Sequence, residues 1–247
     1  MEELQKIRGI GPVLAEKLQA ELHLDEKISN ERLRYILRDE KIFHELPIAA
    51  KVDLLYCPLS EIPRDIIHVI RGELSKYARR IKFDIAGSYR RGKLVSHDVD
   101  IVLAKGELEK MIKLVNSGSQ VLHICEPFAQ GDDKASLLFE ILVPIELRHL
   151  SLLKDRMSTT KKVRVKVDIF MFDAQDYIFT LLFATGSGTF NVRMRAIAKK
   201  RGYLLNQHGL FIRREDDTAG KQISVKNEKE LFKILKIAYK TPEERNE

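Results

Sequence analysis

The sequence predicts an α+β fold, and three observations predict it. The first sixty residues carry apolar positions at helical spacing, the centre switches to strand-like alternation, and the last third mixes the two. That order divides the chain into a helical part over 1–60, a strand-rich part over 61–173 and a mixed part over 174–247.

Each element has its own signal. Leu4, Ile7, Leu14, Leu18 and Leu22 keep helical spacing on either side of the turn Gly9-Ile10-Gly11-Pro12. Pro47, Pro58 and Pro63 punctuate the next stretch, and a longer helix is expected from Pro63 to Arg80, with proline near its first turn. Ile81, Phe83 and Ile85 alternate as in a strand, and Asp98–Leu103 reads as a second. A helix is expected over Glu107–Asn116, then strands over Leu137–Val143 and Val163–Phe172. Helical patterns return over Ala174–Ala184 and Gly188–Lys200. Asn206–Gly209 is a turn between two apolar runs, and a last helix covers Asn227–Tyr239.

Composition excludes several classes. Hydrophobic residues are 44% and charged residues 32% of the 247, which fits a globular chain and not a disordered or collagenous one. No apolar run approaches the ~20 residues of a membrane span, so no membrane partner is expected. MEELQKIRG has no apolar core of a secretion signal. Two cysteines, Cys57 and Cys125, cannot build a disulfide framework. They read as small buried residues, reduced in an intracellular protein. His44, His68, His123, His149 and His208 show no metal-ligand spacing. The net charge of +7 favours a polyanionic partner. Its distribution says more: Tyr177–Arg214 holds no acid but includes Arg193, Arg195, Lys199, Lys200, Arg201, Arg213 and Arg214.

The chemistry centres on Gly87-Ser88-Tyr89-Arg90-Arg91-Gly92 and Asp98-Val99-Asp100. On a strand, Asp98 and Asp100 point to one face, roughly 7 Å apart at the backbone. Two carboxylates so close favour protonation of one, or a divalent cation between them, and hard oxygen ligands suit Mg²⁺. Alone, the pair reads as two ordinary acids on a wet strand. The preceding Gly-Ser alters that reading. Gly87 permits close approach of a phosphate, Ser88 can cap a helical turn or donate to phosphate, and Arg91 adds a permanent charge. Val163–Phe172 alternates, with Arg164, Lys166, Asp168, Phe170 and Phe172 on one face. If that strand neighbours the Asp98 strand, three carboxylates converge, which supports two metal ions.

GSYRRG, DVD and KVDIF, together with Phe183-Ala-Thr-Gly-Ser-Gly-Thr-Phe-Asn191 and Arg195, resemble a family X DNA polymerase of the polymerase beta type. GS with D-x-D marks only the nucleotidyltransferase superfamily; the TGS…FN segment is far more specific. The resemblance covers nearly the whole chain. It implies a helix-hairpin-helix DNA-binding subdomain, a nucleotidyltransferase palm and a nucleotide-binding subdomain for the nascent base pair. It implies that Asp98, Asp100 and Asp168 hold two Mg²⁺, with Mn²⁺ as a substitute. Gly87, Ser88 and Arg91 would bind the triphosphate, Phe183 and Gly186 would pack on the sugar, and Asn191 would reach the base edge. Arg195 would contact the template side, Lys166 the primer terminus and Lys199 DNA phosphates. In the hairpin, Gly9, Gly11 and Lys17 would face DNA, and the carbonyls of Ile7 and Ile10 would hold Na⁺ or K⁺.

The activity implied is templated addition of dNMP to a primer 3′-OH, filling short gaps in repair, by a monomer working with a separate ligase and nuclease. The substrates implied are gapped or primer-template DNA and dNTP. The place implied is the nucleus, or the cytoplasm or virion for the viral branch that Leu204–Phe211 resembles. Two rivals share parts of the pattern: an RNA- or tRNA-tailing nucleotidyltransferase, and a catalytically silent DNA-binding protein. The sequence departs from the family at Ala184, usually aromatic, at His97, often Gly, and at Gly188, commonly Asp. Ala184 suggests looser packing around the sugar and weaker rejection of ribonucleotides. Nothing matches the amino-terminal lyase domain of polymerase beta, so no lyase activity is expected.

Overall fold

The computed structural model describes residues 2–7, 9–24, 28–56, 58–150, 153 and 161–246; Cys57 lies outside them. The chain forms two compact units, Met1–Pro58 and Leu59–Glu247.

The first unit is helical: α1 Glu2–Gln5, α2 Pro12–Glu21, α3 Asn30–Ile36, α4 Glu40–Glu45 and α5 Ile48–Tyr56. Leu4, Ile7, Ile10, Ala15, Leu18, Leu33, Leu37 and Leu54 form its core. Gly9 lies at φ +87, and a Cβ there would stand 2.9 Å from Ala49 Cβ, so both conformation and space call for glycine. Gly11 caps α2 and Pro12 opens it. Ser29 and Asp39 cap α3 and α4 by accepting the backbone N–H of Arg32 and Lys41. Arg34 pairs with Asp53 at 2.7 Å and Arg38 Nε donates to the Leu54 carbonyl at 3.1 Å, which ties α3 to the last turn of α5.

The second unit opens with a two-stranded ribbon, β1 Ile62–Pro63 paired with β3 Val95–Ser96. Its main sheet takes the strands β2 Phe83–Ile85, β4 Val99–Ala104, β5 Leu122–Ile124, β6 Ala129–Gln130, β7 Lys134–Leu142 and β8 Lys162–Phe172. These six are ordered β2-β4-β8-β7-β5, with β6 beside β7. Only β4 and β8 run parallel; the other pairs are antiparallel. Helices α6 (Arg64–Ser75) and α8 (Leu108–Gly118) cover one face, packing on Val99, Ile101, Leu103, Leu137, Val165 and Val167. The short helix α7 (Gly87–Arg90) and α9 (Tyr177–Thr185) meet the other face through Ala86, Val102, Phe172, Leu181 and Ala184. Beyond α9, helix α10 (Gly188–Lys200), the sheet β9 Tyr203–Asn206, β10 Gly209–Arg213 and β11 Ala219–Ile223, and helix α11 (Glu228–Ile234) close a further core. Phe179, Phe190, Met194, Leu210 and Phe232 fill it.

The α+β arrangement is the expected one, with local differences. The helix expected to reach Arg80 stops at Ser75, because the bonds of Tyr77, Ala78 and Arg80 tighten to i−3 partners. The last helix stops at Ile234, and Lys236, at φ +48, cannot continue it. The predicted Glu107–Asn116 helix lies one to two residues later. The strands β1, β3, β5, β6 and β11 have no counterpart in the sequence reading, since each is short and lies in a ribbon, at an edge or in a hairpin. Cys125 is half-buried rather than buried, with its thiol pKa pushed up by burial and by Glu140.

Candidate active site

The parallel register of β4 and β8 sets Asp100 directly beside Asp168. Val99, Ile101 and Leu103 point into the core under α6 and α8, so Asp100 and Val102 face α7 and α9. Asp98 stands in the bend before β4 and not on the strand, so the face rule that grouped it with Asp100 does not hold for it. It still comes within reach of the pair, since Lys166 Nζ lies 4.0 Å from Asp98 Oδ2 and 3.3 Å from Asp168 Oδ2.

Burial raises the Asp100 carboxyl to about 7, and the charges of Asp98 and Asp168 add to this against the pull of Lys134 and Arg91. Asp168 is held below the usual range. Its burial acts upwards, but the Ser136 hydroxyl, Lys166 and Lys134 outweigh it. Ser136 pairs with Asp168 across β7 and β8 and donates to Oδ1 at 2.6 Å, while Lys134 donates to Oδ2 at 3.0 Å. As the side chains stand, no group of three His, Cys, Asp or Glu among the described residues is arranged as a metal cage. Asp168 is turned onto lysines and a serine.

Helix α7 is fastened at its rim. Arg64 Nη1 donates to the Tyr89 and Lys93 carbonyls at 2.8 and 3.1 Å, and its guanidinium lies over the Tyr89 ring. Gly87, at φ +57, leaves room for Asp100: a Cβ there would fall 1.9 Å from Asp100 Oδ2. Ala86, not Ser88, caps α7. Ser88 lies within the turn and shares a hydrogen bond of 2.7 Å with Ser96. The capping role expected of Ser88 is therefore corrected, for the helix begins one residue before it.

Arg91 donates through Nη1 to the Thr185 carbonyl and through Nε to Asn246 Oδ1 at 3.0 Å. Burial lowers the pKa of its guanidinium, and Asp100 works against that. Gly186, at φ +69, ends α9, and the peptide it forms with Ser187 is cis. Ser187 caps α10 by accepting from Phe190 N–H at 3.2 Å. Asn191 Nδ2 donates to the Phe183 carbonyl at 2.8 Å. Phe183 meets Phe170 edge-to-face, with Arg195 5.5 Å from its ring centre. Ala184 is buried in the apolar contact with the sheet, beside Val102 and Phe172 and with Phe170 packed against it.

The remaining expected residues have partners of their own. Lys199 pairs with Asp217 at 3.2 Å on the surface of α10. In the first unit, Lys17 pairs with Glu21 at 3.6 Å, and the Ile7 carbonyl accepts the Ile10 N–H at 3.1 Å. His208 sits in the β9–β10 turn between Asp133 at 3.2 Å and Asp176 at 3.4 Å.

Sequence reasoning missed five contributors. Lys134 and Ser136 act across strands, and no local signal announces a cross-strand partner. The others hold elements together. Arg90 makes paired bonds of 2.8 and 3.0 Å to Glu228, which also takes two of 3.0 Å from Arg245. Arg245 is fully buried, with Phe190, Phe232 and Tyr239 around its guanidinium. Burial acts against charge on Glu228, but the two arginines hold its pKa below the usual range.

Two sequence families match this chain. DNA polymerase beta palm matches residues 57–171 and DNA polymerase beta thumb matches residues 180–246. DNA polymerase lambda of Arabidopsis thaliana is 25% identical over 263 residues, covering 98% of this chain and 45% of that protein. DNA polymerase lambda of Rattus norvegicus is 28% identical over 65% of this chain and 28% of its own length. Repair DNA polymerase X of African swine fever virus is 28% identical over 64% of this chain and 78% of its own. The chain thus spans less than half the length of the two lambda polymerases.

Proposed function

The chain belongs to the polymerase beta family, family X of the DNA polymerases, and on that premise we propose that it copies template DNA by adding dNMP to a primer 3′-OH, filling short gaps in repair. The observation that carries this reading is the side-by-side register of Asp100 and Asp168, with Asp98 and Arg91 at the same rim. In this reading residues 1–60 grip DNA, 61–173 form the palm and 174–247 hold the nascent pair.

The donor set fits a divalent cation. Three hard carboxylates crowd together, and their mutual repulsion, which helps raise Asp100 to about 7, is what a cation relieves. Asp98, Asp100 and Asp168 would hold two Mg²⁺, whose chemistry is to neutralise the triphosphate and to ease loss of the primer hydroxyl proton. The chain's own residues do the positioning. The amides at Gly87–Ser88 and the Arg91 guanidinium bind the triphosphate. Phe183 and Gly186 form the floor for the sugar. One Asn191 amide N–H stays on the Phe183 carbonyl while the other meets the minor-groove edge of the base. Arg195 touches the template side. Lys166 and Lys134 leave Asp168 for the primer phosphates. Asp168 takes the proton of the primer 3′-hydroxyl, whose oxygen bonds to the α-phosphorus as the bond from that phosphorus to the α–β bridging oxygen breaks, and pyrophosphate departs. Catalysis rests on alignment and fixed charge.

Among the described residues no helix is long and apolar enough to cross a membrane. We place the protein inside the cell, with a nuclease opening the gap and a ligase sealing it. Extension across a one-nucleotide gap with dNTP and Mg²⁺ tests the reading. Asp168→Ala is expected to lower the rate on the order of 10³-fold or more. Untemplated addition would point instead to a tailing enzyme. DNA binding with no extension would point to a silent binding protein.

A further inference from the structure

Arg91 is gripped more firmly than a rim arginine usually is. Its side chain crosses Gly186, where a Cβ would stand 3.2 Å from Nη1, and Nη1 donates to the Thr185 carbonyl. Nε donates to Asn246 Oδ1 at 3.0 Å. Asn246 Nδ2 answers with bonds of 3.0 Å to the Arg91 carbonyl and 3.0 Å to the Glu243 carbonyl. Nη2 has no hydrogen-bond partner among the described residues. A guanidinium fixed at Nε and Nη1 keeps its remaining donors aimed in one direction, the arrangement that suits a bidentate anion.

The anchor on the far side is rigid. Thr241 and Glu244 close a capping box at the start of the short turn Pro242–Arg245. Arg245 is fully buried on Glu228, and its carbonyl accepts the Ser187 N–H at 3.3 Å. Asn246 comes directly after and inherits that placement. Its amide is used at both ends: the oxygen accepts from Arg91, and the nitrogen donates to two carbonyls.

We propose that Asn246 is a positioning residue for Arg91, so that the segment Thr241–Asn246 belongs to the triphosphate-binding apparatus. The proposal rests on the reading of Arg91 as a triphosphate ligand. Asn246 touches no reacting atom; it sets the direction in which the guanidinium points.

The test is calorimetric titration of the full chain with inorganic tripolyphosphate and Mg²⁺, paired with one-nucleotide gap insertion. Asn246→Ala is expected to weaken tripolyphosphate about tenfold. It should raise KM for dNTP by a similar factor and leave kcat within about twofold. Asn246→Asp keeps the acceptor for Nε and is expected to lose less than Asn246→Ala. Asn246 is exposed, so neither variant should move the thermal midpoint by more than a few degrees. In an Arg91→Ala background, Asn246→Ala should cost nothing further. A loss of undiminished size there would overturn the proposal, as would wild-type affinity in Asn246→Ala. Wild-type affinity in Arg91→Ala would overturn it together with the role of Arg91. A wild-type chain that binds tripolyphosphate but extends no primer would instead remove the polymerase reading.

Discussion

Gly87 and Asp100 form a pair in which one residue exists by courtesy of the other. The missing side chain at 87 is the space the carboxylate fills, and φ +57 strains any other residue. Gly87→Ala is expected to abolish insertion and to lower stability by about 1–3 kcal/mol, measured by denaturant unfolding beside a gap-filling assay. Asp100 itself has a cost in stability. Its folded pKa of about 7 lies above the unfolded 3.8, so the folded state binds the extra proton between those values. Its contribution to stability therefore falls as pH rises through that window and stays low above it. In EDTA, Asp100→Asn should melt above wild type at pH 8, and the gap should close near pH 4. Equal differences at both pH values would contradict this. Asp168 behaves oppositely, because Ser136, Lys166 and Lys134 keep it charged.

One buried ion network ties together elements around the site that share no sheet ladder. Glu228 on α11 joins Arg90 at the end of α7 to Arg245 in the Pro242–Arg245 turn. Glu228→Gln would leave two guanidinium groups with their charge uncompensated, one of them fully buried. A loss of about 3–5 kcal/mol is expected, read as a shifted urea midpoint. Glu228 has a lowered pKa, so its contribution is present above the ordinary glutamate range and is lost as pH falls. None of this is legible in the sequence, because Arg90, Glu228 and Arg245 come from three separate segments with no shared motif. What is legible is also physical in origin. The alternation over Val163–Phe172 is the period of a strand buried on one side, and the face it assigns to Lys166 and Asp168 is the one observed. GSYRR is readable as a turn fit for phosphate, although its capping residue is Ala86 and not Ser88. Asp98 escapes the strand rule because a bend, not a ladder, orients it.

At the scale of the whole molecule, charge and connectivity matter most. The net +7, with an acid-free run from Tyr177 to Arg214, predicts binding to gapped DNA that weakens with salt. Between 50 and 200 mM salt the affinity should fall at least about tenfold, measured by fluorescence anisotropy. A flat salt response would argue against a phosphate-tracking surface. The proposed chemistry depends on β4 and β8 lying together, although β5, β6 and β7 intervene along the chain. A parallel neighbour cannot be reached by a hairpin, so the loop enclosing those three strands must close before the two carboxylates meet. Asp100 and Asp168 become neighbours only when that long-range pairing is made, and pairings of this kind are slow to form. On the proposed function, a nascent chain therefore has no means of transferring a nucleotide until β8 has left the ribosome and docked, however early the Gly87–Arg90 turn has taken shape.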